Sequence, residues 1–296
     1  GSSQGILVQN NATSGTPIVN FSGPSKALNT GANAAVTLDN NDVATINFTG
    51  GGLDIDTTSG TGFNATGGAT AITVQGSGNS ITATTGTALN VASTTIGAAD
   101  LTFQSISANG GASGIVLNGT GAGGSLVVTG TGSAGSGGTI QNKATGISLA
   151  STADPSFSWM QLNDFSDFAI RGATVTGFTL ANTVINGTNG NDAGADEASV
   201  RFTELTGSAS VSNCSLSGGV EDNFAVINTG GTLNRLTVSG TTFGANSVAS
   251  GSDGLLVEGQ NSAVVNVTVQ NGFFTSSRGD HFQLNLIGTA AADLVF

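Results

Sequence analysis

One short pattern recurs along the whole chain: an apolar residue, any residue, a second apolar residue, any residue, then Gly or Asn. It reads Val19-Asn20-Phe21-Ser22-Gly23, Ile46-Asn47-Phe48-Thr49-Gly50, Ile72-Thr73-Val74-Gln75-Gly76, Phe178-Thr179-Leu180-Ala181-Asn182, Leu236-Thr237-Val238-Ser239-Gly240 and Val267-Thr268-Val269-Gln270-Asn271. Looser copies fall at Leu101 to Ser105, Leu126 to Gly130, Ser158 to Leu162 and Ala209 to Asn213, with an eleventh at Leu294-Val295-Phe296. The second apolar positions, from Phe21 through Met160 to Phe296, are spaced by about 27 residues. A strand-and-turn unit of that length cannot bury its apolar face alone, so a chain of such units must stack into a solenoid.

A second ladder lies between the copies of the first. It includes Gly5-Ile6-Leu7-Val8, Val36-Thr37-Leu38, Gly62-Phe63-Asn64-Ala65, Gly114-Ile115-Val116-Leu117, Phe168-Ala169-Ile170, Val200-Arg201-Phe202, Leu255-Leu256-Val257 and Phe282-Gln283-Leu284. Alternation with period two means a strand with one buried face. A weaker apolar column sits just past the Gly or Asn, at Phe165, Ile185, Leu216, Phe243 and Phe274. The spacing therefore predicts three strands in each turn of the solenoid. The Gly or Asn that closes the first ladder suits a sharp corner in the left-handed backbone region.

This pattern, with a tight Asn corner after the second strand and Gly before the first, resembles the right-handed parallel β-helix of the pectin-lyase-like superfamily and of large bacterial surface proteins. The resemblance implies an all-β fold of about 11 turns and no particular activity. Residues 1–296 read as one solenoid domain, a segment of a longer chain beginning at Gly1-Ser2. At one turn per ~4.8 Å, 11 turns make a rod about 50 Å long.

Composition excludes several function classes. The formal net charge is −12, with six Lys and Arg scattered at Lys26, Lys143, Arg171, Arg201, Arg235 and Arg278. No basic patch exists, so nucleic acid is not an expected partner. No apolar run of the length of a membrane-spanning helix occurs. The single Cys214, in Ser212-Asn213-Cys214-Ser215, rules out an internal disulfide.

No catalytic residue is assigned. Glycoside hydrolysis needs two carboxyls about 5 to 9.5 Å apart, and the closest approach in sequence is Asp54 with Asp56. The outward positions of the second ladder read Ala169, Arg201, Ala225, Leu256, Gln283 and, one step on, Arg171, Thr203, Ile227, Glu258, Asn285, without neighbouring acids. His281 has only Asp280 beside it. A column of acids does precede the second ladder: Asp222, Asp253 and Asp280, near the oxygen-rich loop containing Asp192 and Asp196. Stacked carboxylates repel unless neutralised. Either each Asp accepts backbone N–H bonds in its own turn, or calcium lies among Asp222, Asp253, Asp280, Asp192 and Asp196. No other cofactor is expected.

Trp159, alone among fifteen Phe and no Tyr, takes an outward slot in its ladder and is a candidate carbohydrate or partner contact together with Arg171, Arg201 and Glu258. The expected function is that of a non-catalytic, extracellular or cell-surface bacterial β-solenoid. Such a structural or adhesive rod presents one loop edge to a cell-surface glycan or protein. Two alternatives stay open: a filament-forming subunit that stacks on copies of itself through its end turns, and a carbohydrate-active enzyme or tailspike-like depolymerase with a cleft over Arg171, Arg201, Glu204 and Glu258.

Overall fold

A computed structural model describes residues 5–11, 14–249 and 251–296. The chain winds as a parallel β-solenoid of about 11 turns. Each of the first ten turns carries a strand of the second ladder (face 1), a strand of the first ladder (face 2) and a strand on a third face (face 3), and the eleventh carries the first two. Turn 5 is Ser113–Gly121, Leu126–Val128 and Thr139–Gln141; turn 6 is Thr145–Ala153, Ser156–Ser158 and Gln161–Phe165. In turns 2, 3, 7 and 8 one long strand, such as Phe168–Ala181 in turn 7, runs through the corner and serves both face 1 and face 2. Faces 1 and 2 therefore merge into one 18-stranded sheet, and face 3 is a separate 10-stranded sheet. A 3-10 turn at Ala193–Ala195 is the one helical element among the described residues.

Strands alternate in burial as the sequence demands: Leu53–Thr57 shows Leu53, Ile55 and Thr57 inside with Asp54 and Asp56 outside. The inward side chains stack turn upon turn into one core. Phe21 lies on Phe48 with ring centroids 4.6 Å apart, and Phe243 lies on Phe274 at 4.8 Å. Each fully buried Phe, Leu or Ile contributes about 1.5–3 kcal/mol. Asparagine pairs tie successive turns together outside the core, as in Asn47 donating to Asn20 and Asn90 donating to Asn64.

The corner between faces 2 and 3 is left-handed at Gly50, Gly76, Gly130, Asn182, Asn213, Gly240 and Asn271, with φ between 50° and 87°. Seven corners thus bear out the Gly/Asn expectation.

Two details of the expected register are corrected. In turn 6 the first-ladder strand is Ser156–Ser158, with Phe157 opposite Val128 and Leu180, rather than Ser158 to Leu162. Leu162, not Phe165, continues the third column onto Ile185. In turn 7 the inward residues of face 1 are Ile170 and Gly172, opposite Ile147 and Leu149. Gly172 escapes a hydropathy reading because its place in the core is filled by the next turn: a Cβ on Gly172 would stand 2.2 Å from Cδ1 of Phe202.

Candidate functional site

That register shift changes the outward face. Arg171 stands opposite Arg201, and the column continues through Ala225, Leu256 and Gln283. Ala169 does not belong to it. The Arg171 guanidinium lies 5.3 Å over the ring of Phe168. Arg201 instead bonds Asp196, with Nη2 to Oδ2 at 3.0 Å and Nη1 to the backbone oxygen at 3.0 Å. Glu258 falls two turns beyond Arg201 and one outward position further on, opposite Ile227. Its carboxylate accepts from Gln260 at 2.6 Å and Asn285 at 3.2 Å. Glu204 turns away to accept the Thr229 N–H at 2.8 Å. Of the residues expected to line a saccharide cleft, Arg171 lies in turn 7, Arg201 and Glu204 in turn 8 and Glu258 in turn 10.

The acid column adopts a definite arrangement. Asp222 Oδ1 accepts the N–H of Asp253 at 2.9 Å, and Asp253 Oδ1 accepts the N–H of Asp280 at 2.8 Å. Asp222 and Asp253 each tie the following turn rather than their own. Burial pushes the Asp222 carboxyl up to about 6, against the opposing pull of the Asp253 N–H. Burial raises Asp253 as well, and its Oδ2 is buried without a hydrogen-bond partner among the described residues. Asp196 is paired with Arg201, and Asp192 accepts the Gly194 N–H of its own loop at 2.9 Å. Among the described residues no three or more His, Cys, Asp or Glu side chains are grouped to hold a metal ion.

Several other charged residues make such ties. Asp100 accepts the N–H of Ser125 (2.8 Å), Asp164 that of Thr188 (3.0 Å), and Glu197 those of Asn191 and Asp192 (2.6 and 2.7 Å). Both lysines cap backbone carbonyls. Lys26 donates to Gly51 at 2.6 Å and Thr49 at 3.0 Å. Lys143, only 2% exposed, reaches across turn 5 to the Gly86 carbonyl of turn 4 at 2.7 Å. Burial draws its ammonium down to about 8. Asp54 and Asp56 stand exposed on face 3, where Ser80 donates to Asp54 at 2.6 Å and burial followed by the Asp54 charge raises Asp56. Cys214 is buried, its thiol pushed up to about 11 by desolvation.

Trp159 is the site residue whose setting differs most from expectation. It occupies the left-handed corner itself, at φ +61°, where seven other turns carry Gly or Asn. The outward slot was inferred from the misplaced strand. Its side chain leans back over turn 5: a Cβ on Gly130 would fall 2.6 Å from Trp159 Cβ and 2.9 Å from Cδ1. A bulky residue in this region is strained by about 1–3 kcal/mol.

The hollows lie at the start of face 2, and the sequence reading did not find them. One, of about 250 Å³, lies between Asp100 and Asp154 over Gly123, Gly124 and Ser125; a second, of about 260 Å³, adjoins it across Ala122 and Ala153. Asp100 and Asp154 are both left-handed, at φ 62° and 49°. The Gly123-Gly124 pair was the available signal, since a side chain on Gly124 would strike the Gly97 carbonyl at 2.0 Å. No protein-family model, no curated protein and no solved structure matches this chain.

Proposed function

We propose that this protein is a non-catalytic, extracellular β-solenoid of a bacterial surface, a stiff acidic rod whose work is to hold and present a binding surface. The observation that carries this reading is the use made of its charges. Asp100, Asp164, Glu197, Glu204, Asp222 and Asp253 accept backbone N–H bonds, and both lysines cap carbonyls. A general acid or nucleophile must instead face a substrate with its carboxyl free. Fixing carboxylates along the rod favours rigidity over chemistry. No helix among the described residues is long and apolar enough to cross a membrane.

Stacking of a second copy is the structural variant of the same reading. It rests on the general readiness of an unpaired strand edge to accept another strand. The depolymerase alternative is tested directly by incubating the protein with neutral and acidic polysaccharides while following reducing ends and unsaturated uronates. Retention of the protein on a surface without product supports the rod; steady product release would end the non-catalytic reading.

A further inference from the structure

The outward surface of face 2 on turns 5 and 6 has a different character from the rest of the rod. It starts at the hollow between Asp100 and Asp154, which sit one turn below and one turn above Gly124. Their backbones are therefore roughly 10 Å apart, two strand spacings. Asp100 uses Oδ1 for the Ser125 N–H; the Asp154 carboxylate makes no hydrogen bond among the described residues and lies over Gly177 of turn 7, where a Cβ would meet its Oδ1 at 1.9 Å. Ser125, 4% exposed, lines the same hollow with its Oγ unpartnered. No Lys or Arg borders either hollow.

From there the outward row passes Val127 opposite Ser156, then Thr129 and Ser158, small side chains on a flat parallel sheet. It ends at Trp159, leaning over Gly130 of turn 5. Gly124 to Gly130 spans roughly 20 Å of extended chain. One end thus offers the remaining oxygen of Asp100 and, towards turn 7, the Asp154 carboxylate, both without a counter-cation; the middle offers hydroxyls beside one small apolar side chain, and the far end offers an aromatic ring. Carboxylate oxygens bind hydroxyl donors through charge-assisted hydrogen bonds, and an indole packs against an apolar ring face. An anionic ligand would meet both carboxylates and the overall charge of −12.

We propose that this strip, from the Asp100/Asp154 hollow to Trp159, binds a neutral glycan chain. The proposal rests on the reading of the protein as a surface-binding rod and names its ligand class and its contact face. Trp159 is the one aromatic among the left-handed residues described, and the seven left-handed corners at the same place in other turns carry Asn or Gly, so the ring at this corner is available to a ligand role that those residues lack.

The test uses surfaces coated with dextran, mannan, β-galactan and xyloglucan, with polygalacturonate as the charged comparison. Binding of wild-type, Trp159→Asn and Asp154→Asn proteins is followed by interferometry, and Tm is recorded for each. The wild type is expected to be retained by at least one neutral glycan and not by polygalacturonate. Trp159→Asn should weaken binding about tenfold, the loss of one aromatic contact with its buried area, while its Tm stays level or rises. Asp154→Asn should weaken it severalfold. Absence of wild-type retention on every neutral glycan, or equal binding by both variants, overturns the proposal. Retention that both variants preserve would leave the surface-binding rod standing and remove this strip from it; sugar release from a bound glycan would do the reverse.

Discussion

Gly172 and Phe202 share one position in the core, and replacing them singly and together measures how strictly successive turns interlock. Phe202 is fully buried and lies 4.7 Å from the Phe178 ring and 6.0 Å from that of Phe224. Phe202→Ala should therefore cost about 3–5 kcal/mol, transfer and cavity together. Gly172 is an ordinary strand residue without positive φ, so its backbone accepts a β-branched side chain. A Cβ there would nevertheless meet Phe202 Cδ1 and Cε1 at 2.2 and 2.4 Å. Gly172→Val should cost about 1–3 kcal/mol as overpacking. In the double variant the valine occupies space that the ring has left, so the clash disappears and the cavity shrinks. The combined loss should fall short of the sum by about 2 kcal/mol. Equilibrium urea unfolding followed by circular dichroism and tryptophan fluorescence gives all four stabilities, provided the two probes coincide. Additivity within about 0.5 kcal/mol would refute the shared-hole account.

Further outcomes follow from the buried charges. Lys143, lowered to about 8 from 10.5, binds fewer protons folded than unfolded between those values, so its contribution to stability rises as pH goes from 8 to 10.5; this rise in Tm should be missing from Lys143→Met, and an identical slope would contradict it. Asp222, raised from 3.8 to about 6, binds more protons when folded, so its contribution grows as pH falls from 6 towards 3.8 and is absent above 6. Asp222→Asn keeps an acceptor for the Asp253 N–H, should melt higher than wild type at pH 7, and should lose that advantage by pH 4; a lower Tm at pH 7 counts against the assignment. With Asp222 and Asp253 already holding N–H donors, millimolar calcium should leave Tm unchanged, whereas a calcium-dependent rise abolished in Asp253→Asn would place a cation on Asp253 Oδ2. Cys214, buried and with its thiol raised to about 11, should react with a thiol reagent only at the rate of unfolding, and fast labelling of the native protein would show the corner to be open.

The repeat, the three strands per turn and the left-handed Gly/Asn corners were legible in the sequence because each is local: an alternation of two, and a corner that only certain residues close at low cost. Periodicity misread the chain where a side chain from one turn fills a place belonging to another. Gly172 has no hydropathy to reveal that Phe202 completes its position, and the resulting slip hid the stacking of Arg171 on Arg201. Trp159 broke the corner rule, so the pattern moved its strand by several residues. The acid column was visible from spacing, but not its hydrogen bonds, since whether a carboxylate faces a cation or the next turn's N–H depends on backbone placed about 30 residues away. The Asp100/Asp154 hollow belongs wholly to the tertiary structure: two acids 54 positions apart in sequence become neighbours only because stacking sets turns 4 and 6 on either side of a glycine pair.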